Sequence, residues 1–163
     1  THCTSSAASD VYKRQNMKKA ADICINAKMR RVGICGAAET LLIDQSVNTT
    51  DMSLIVKQLL DSGCEVRGTK VVAACDNRIV PATDADWGCE FLAPIIAVKT
   101  VSGLDEAISH IRLHGSGHTE SIMTEDVDEA ETFLNEIDSA IVMVNASTQF
   151  ADGGEFGLSL IHI

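Results

Sequence analysis

No cluster of Lys or Arg longer than a few residues occurs in this 163-residue sequence, and its formal charge is −10. Phosphate backbones are held by concentrated cationic side chains, so a nucleic-acid partner is not expected. No apolar run approaches the ~18 residues that would cross a bilayer, so no membrane role is expected either. The opening residues lack the charged-then-apolar pattern of a secretory signal, which leaves a cytoplasmic location as the expectation. Six cysteines are present (Cys3, Cys24, Cys35, Cys64, Cys75 and Cys89) without a single CxxC pair. That spacing argues against a zinc ribbon or a thioredoxin-type centre. In an acidic intracellular α/β protein the thiols are expected to stay reduced. There is no internal repeat, and no low-complexity stretch apart from a Ser/Ala-rich start.

What is there suffices for one folded domain. Apolar residues make up 45% of the chain, enough to bury a core at this length. The ends differ from the middle. Residues 1–15 (THCTSSAASDVYKRQ) have no periodicity, and the last six residues follow a Gly-rich loop. Residues 1–15 and 158–163 are expected to be a non-native or disordered leader and a non-native tail, with the domain over 16–157.

Within that domain helix and strand patterns alternate. Met17, Ala20, Ala21, Cys24 and Ala27 recur at helical spacing over 17–29. Residues 39–44 read as a short strand. A helix over 51–62 is capped by Thr50 or Asp51, with Gly63 in the left-handed position after it. Short strands are expected at 64–67 and 70–74, and a buried strand at 94–101. An amphipathic helix spans 104–114 and stops at Gly115. A strand at 121–124 leads to a helix opened by a capping box of Asp126 and Glu129, with Ala130, Leu134 and Ile137 as its apolar stripe. A last buried strand covers 139–145. The pattern predicts an α/β fold: a mostly parallel sheet with flanking helices. Ligands of such sheets bind beyond the C-terminal strand ends. The loop after Asn145 is expected there, as is the Cys35 loop if a further strand precedes it.

Cys35 stands between Gly33 and Gly36, just after the cationic run Lys28-Met29-Arg30-Arg31. A nucleophilic thiolate needs access, nearby cations or backbone N–H groups, and a permissive backbone. The same pattern also suits a small buried hydrophobe ahead of a strand. The other cysteines read as core. His110, His114 and His118 are four apart, but Gly115 and Gly117 intervene and no HExxH is present, so no metal site is expected. Glu90, at the mouth of the strand over 94–101, is either a hydrogen-bond acceptor for sugar hydroxyls or an exposed carboxylate. Asp152-Gly153-Gly154-Glu155-Phe156-Gly157 is a flexible acidic loop without a phosphate-binding context.

Four blocks in order carry a resemblance: NAK-x-x-R-x-x-x-C followed by ETLL, then EFLAPIIAVK, HIRLHGSGHTESIMTED and VNASTQFADGGEFG. From about Ala21 to Gly157 the chain resembles the catalytic domain of the gamma-glutamyl phosphate reductase family, within the aldehyde dehydrogenase superfamily. The family's coenzyme-binding portion has no counterpart in these residues. The resemblance implies an aldehyde-dehydrogenase-like catalytic domain that reduces L-glutamyl 5-phosphate to L-glutamate 5-semialdehyde in proline biosynthesis. It implies NADP as cofactor, a cysteine thioacyl intermediate and no activity for the segment alone. Cys35 falls on the family's nucleophile and Glu90 on the carboxylate that holds the nicotinamide ribose. Asn145 and the loop from Ser147 to Phe156 fall on the border of the substrate pocket. Lys28 and Arg31 match basic residues ahead of the nucleophile, and their charge suggests anion binding. Val32 stands where the family usually has Pro, which loosens the turn. Gly36 stands where it has Asn, which removes a polar group near the sulfur. Glutamate 5-kinase as a partner and a homo-oligomer of the full-length protein are implied too. The alternatives are another aldehyde dehydrogenase, the reductase half of a pyrroline-carboxylate synthase, or a non-catalytic assembly module with an inert cysteine.

Overall fold

The computed structural model describes the backbone of residues 2–4 and 7–11 and both backbone and side chains of 17–151. The segment Thr-Leu-Leu-Ile-Asp forms strand β3 (Thr40–Asp44), buried at every position. Successive strand side chains point to opposite faces. Leu41 and Ile43 accordingly enter one core and Leu42 the other.

Strands β1 (His2–Thr4), β2 (Ala7–Val11), β4 (Glu65–Gly68), β5 (Val80–Pro81), β6 (Ile95–Val101), β7 (Thr119–Met123) and β8 (Ile141–Val144) complete an eight-stranded sheet. From β8 the order runs β8-β7-β2-β3-β6-β4-β5, with every neighbouring pair parallel. β1 alone is antiparallel, beside β3 and β7. The stretch expected as a leader thus contains β1 and β2. β5, at the sheet's edge, tolerates Pro81 because no further strand needs its N–H.

Helices α1 (Met17–Met29), α2 (Thr49–Asp61) and the single turn α3 (Lys70–Ala73) cover one face. Ala20, Ala21, Cys24 and Ala27 of α1 pack there with Ile55, Val56 and Leu59 of α2. Helices α4 (Leu104–His114) and α5 (Val127–Glu136) cover the other, where Ala107, Ile108, Ile111 and Phe133 meet Leu42 and Ile122. Helices on both faces of a parallel sheet are the expected α/β arrangement.

Several local expectations are corrected. Residues 70–74 form α3 rather than a strand: Ala73 N–H bonds the Thr69 carbonyl at 2.8 Å. Val72 folds over Gly68, where a Cβ would lie 2.9 Å from both Val72 and Ile79. Helix α2 is capped by Asn48, which accepts from Asp51 N–H at 2.9 Å. Gly63 does take the left-handed position, with φ +88°. Asp126 caps α5, but Glu129 accepts from the Thr124 hydroxyl at 3.2 Å instead of closing a reciprocal box. Phe133 is buried within α5 and Ile137 at its C-cap, while Leu134 is exposed.

Candidate active site

Helix α1 runs antiparallel to the strands it connects, so its C-terminal end delivers the chain to the N-terminal end of β3. Residues 30–39 bridge the two. The Ala37 N–H bonds the Ile34 carbonyl at 3.0 Å, closing a four-residue turn with Cys35 and Gly36 at its centre. Cys35 is exposed, whereas Gly36 through Thr40 are buried. The alternative of a core cysteine is therefore removed. Cys24 and Cys64 are buried and Cys75 and Cys89 intermediate, and all are free thiols.

The turn is held from three sides. The Ala27 carbonyl accepts from Ala38 N–H at 2.9 Å and from the Gln149 amide nitrogen, also at 2.9 Å. The same amide donates to the Arg31 carbonyl at 3.0 Å. Behind the turn, the Lys28 ammonium donates to the Glu39 carboxylate, with both side chains essentially inaccessible. Burial pushes the Glu39 carboxyl above its ordinary value, opposed by Lys28 and by the backbone N–H groups of Leu92 and Phe91. The Leu92 N–H reaches Glu39 Oε1 at 3.4 Å. Glu39 therefore joins the Cys35 turn to the loop that carries Glu90. Glu90 is exposed, and Leu92, two residues on, adopts φ +51°, unusual for a bulky side chain.

Cys35 and Glu90 thus share one end of the sheet, but it is the end where β3 and β6 begin. The expectation of a crevice beyond the C-terminal strand ends is corrected for Cys35, because its loop leads into β3. Asn145 does lie at a C-terminal strand end. The register Leu42↔Asp10↔Ile122↔Val144 sets it at the level of Ile43, about 10 Å beyond Thr40 along the strands. Its side chain is committed to Thr124, accepting from the N–H at 3.0 Å and donating to the carbonyl at 2.8 Å. With φ +54°, Asn145 turns the chain back. The Ala146 carbonyl then accepts from the Ser121 hydroxyl at 2.8 Å, and the 3-10 turn Thr148–Ala151 returns to the Cys35 end. A Cβ on Gly36 would lie 3.0 Å from the Thr148 carbonyl.

The substrate-contact expectations divide accordingly. Lys28 is corrected: a fully buried ammonium paired with Glu39 cannot meet an anion in solution. Asn145 is exposed at the C-terminal strand end, with its side chain bonded to Thr124. Ser147 is buried, and its hydroxyl accepts from Gln149 N–H at 3.3 Å. Arg31 is exposed on the Cys35 loop. Phe156 lies outside the described residues. The His110 and His114 rings meet at a tilt, centroids 4.5 Å apart, and Trp87 meets His110 edge-on at 5.6 Å, while His118 follows the end of α4. Sequence reasoning missed Glu39 and Gln149. For Glu39 a signal existed, a lone carboxylate inside the apolar run from Ala37 to Ile43. Gln149 had none.

An exposed thiol in a tightly held turn, with an exposed carboxylate on the adjoining loop, can attack an acyl carbon while a hydroxyl-bearing ligand is held alongside. The aldehyde dehydrogenase family model matches residues 79–157. A gamma-glutamyl phosphate reductase of Rhodopseudomonas palustris is 56% identical over 147 residues, 90% of this chain and 34% of the relative. One of Methylorubrum extorquens is 59% identical over the same share of each. The crystal structure of the Thermotoga maritima gamma-glutamyl phosphate reductase superposes with TM-score 0.90 at 44% identity, over 94% of this chain and 37% of that one. An acetylating aldehyde dehydrogenase of Geobacillus thermoglucosidasius shares the fold at TM-score 0.67 and 19% identity, over 95% and 43%. The chain spans about a third of the length of the curated relatives it matches. In sequence and in fold, this chain is a homologue of the gamma-glutamyl phosphate reductases, within the aldehyde dehydrogenase superfamily.

Proposed function

We propose that this chain is the nucleophile-bearing segment of an NADPH-dependent reductase that converts L-glutamyl 5-phosphate to L-glutamate 5-semialdehyde. Exposure of Cys35 in a turn fastened to the Glu90 loop carries this reading. The Cys35 thiolate attacks the acyl carbon, a C–S bond forms, and phosphate departs with the electrons of the broken C–O bond. Backbone N–H groups of the turn stabilise the oxyanion, where loss of one donor typically costs about 3 kcal/mol. Glu90 would hold the ribose of a nicotinamide cofactor, which would supply a hydride to the thioacyl carbon; the C–S bond then breaks, Cys35 leaves as the thiolate, and the aldehyde is released. Arg31, exposed on the Cys35 loop, is assigned to receive the phosphate or the substrate carboxylate. With about a third of the relatives' length present, turnover is assigned to the full-length protein and not to this segment. The proposal extends to a cytoplasmic location, a homo-oligomer of the full-length protein and glutamate 5-kinase as the supplier of its substrate.

The test is the reverse reaction in the full-length protein. Glutamate semialdehyde with NADP is expected to be oxidised only when phosphate is supplied, and Cys35→Ser is expected to abolish it. Oxidation that proceeds without phosphate would assign the chain to another aldehyde dehydrogenase. Full activity of Cys35→Ser would remove the nucleophile altogether.

A further inference from the structure

We propose that Glu39 is a positioning residue that sets the Cys35 turn in register with the Glu90 loop; this rests on the nucleophile reading of Cys35. Three observations converge on it. Glu39 is four residues after Cys35 and ends the bridge into β3, where its own carbonyl accepts from Ala97 N–H of β6 at 2.9 Å. Its carboxylate takes Leu92 N–H from the loop between Glu90 and β6. Lys28, on the last turn of α1, holds that carboxylate from the other side. A buried, charged pair is an expensive way to stabilise a core, since apolar residues of similar volume often do as well. Its use at this place is explained by what it joins: helix, nucleophile turn and cofactor loop, through one side chain. Sub-ångström placement of reacting groups matters greatly for rate, and Leu92, the residue tied to Glu39, holds a backbone conformation that needs an external tether.

Two double variants isolate the tether from the charges. Lys28→Met with Glu39→Gln removes both charges and keeps an acceptor for Leu92. Lys28→Met with Glu39→Leu removes the acceptor as well. In this chain, iodoacetamide labelling of each cysteine is followed by peptide mapping, with hydrogen exchange at Leu92. Cys24, fully buried on α1, reports folding. In the wild type, Cys35 is expected to label faster than N-acetylcysteine at the same pH. The Gln variant is expected to keep the wild-type Cys35 rate and Leu92 protection to within about twofold. The Leu variant is expected to lose about tenfold in Leu92 protection and to change the Cys35 rate about fivefold or more, with Cys24 still protected. Wild-type Cys35 labelling no faster than N-acetylcysteine would sink the nucleophile reading itself. Fast wild-type labelling with the two variants alike would overturn the positioning role alone. Loss of Cys24 protection in either variant would also overturn it, by making the pair a stabiliser of the fold.

Discussion

At the level of single residues, Cys35 and its supports make different demands on the protein. Cys35 projects into solvent from a turn whose backbone is held by other groups, so its sulfur contributes little to stability. Cys35→Ser is expected to change unfolding free energy by no more than about 0.5 kcal/mol, measured by urea denaturation, while removing the exposed thiol. Gln149 is the opposite case. Its amide donates to the carbonyls of both Ala27 and Arg31 from a buried position. Gln149→Leu removes both bonds, and the same denaturation is expected to show a loss of about 1–3 kcal/mol. Gly36 is constrained by space: the Thr148 carbonyl stands 3.0 Å from where a Cβ would be. Any side chain placed there must push the 148–151 turn outward by a few tenths of an ångström.

Among the elements, periodicity located most helices and strands, and tertiary contacts decided the rest. The runs 17–29 and 104–114 are helices in the structure as the spacing predicts, because each has one apolar face to bury. Residues 70–74 have β-branched character but fold into α3, because Gly68 admits Val72 over it, and no local pattern announces that contact. In α5, Ala130 and Leu134 fit helical spacing as well as Phe133 does; only the packing against Ile122 of β7 and Val142 and Val144 of β8 distinguishes them. Phe133→Ala is therefore expected to cost about 3–5 kcal/mol, and Leu134→Glu no more than about 0.5 kcal/mol, by thermal or urea unfolding. The loop before Glu90 has its own clasp. Burial would raise the Asp86 pKa, but the Thr83 N–H at 2.7 Å, its hydroxyl at 2.9 Å and Arg67 at 2.7 Å outweigh it. The folded pKa thus lies below the ordinary 3.8. Its stabilising contribution is complete above that value and is lost as pH falls through the lowered one. Trp87, the one tryptophan of the chain, adjoins Asp86. Its fluorescence is expected to change on acidification below about pH 4, a transition that Asp86→Asn should remove.

Taken as a whole, the molecule places Cys35 and Glu90 at an end of the sheet that strand order alone does not indicate. Alternating helices and strands made the α/β class legible, and the four sequence blocks made the homology legible. The position of Cys35 ahead of β3 followed from where the helix before it ends. The separation of Asn145 from Cys35 was not legible, because it depends on register passed across β2 and β7. Nor was the return of residues 146–151 along the sheet, which needs the left-handed turn at Asn145. Lys28 looked like an anion site because charge is visible in sequence and burial is not. The proposed reaction requires a thiol that is both accessible and activated at that end. The most direct measurement is the iodoacetamide rate of Cys35 at pH 7, set against N-acetylcysteine and against Cys75 and Cys89 in the same chain. Selective modification of Cys35, faster than the free thiol, is the predicted result; a rate at or below that of the free thiol would contradict the account.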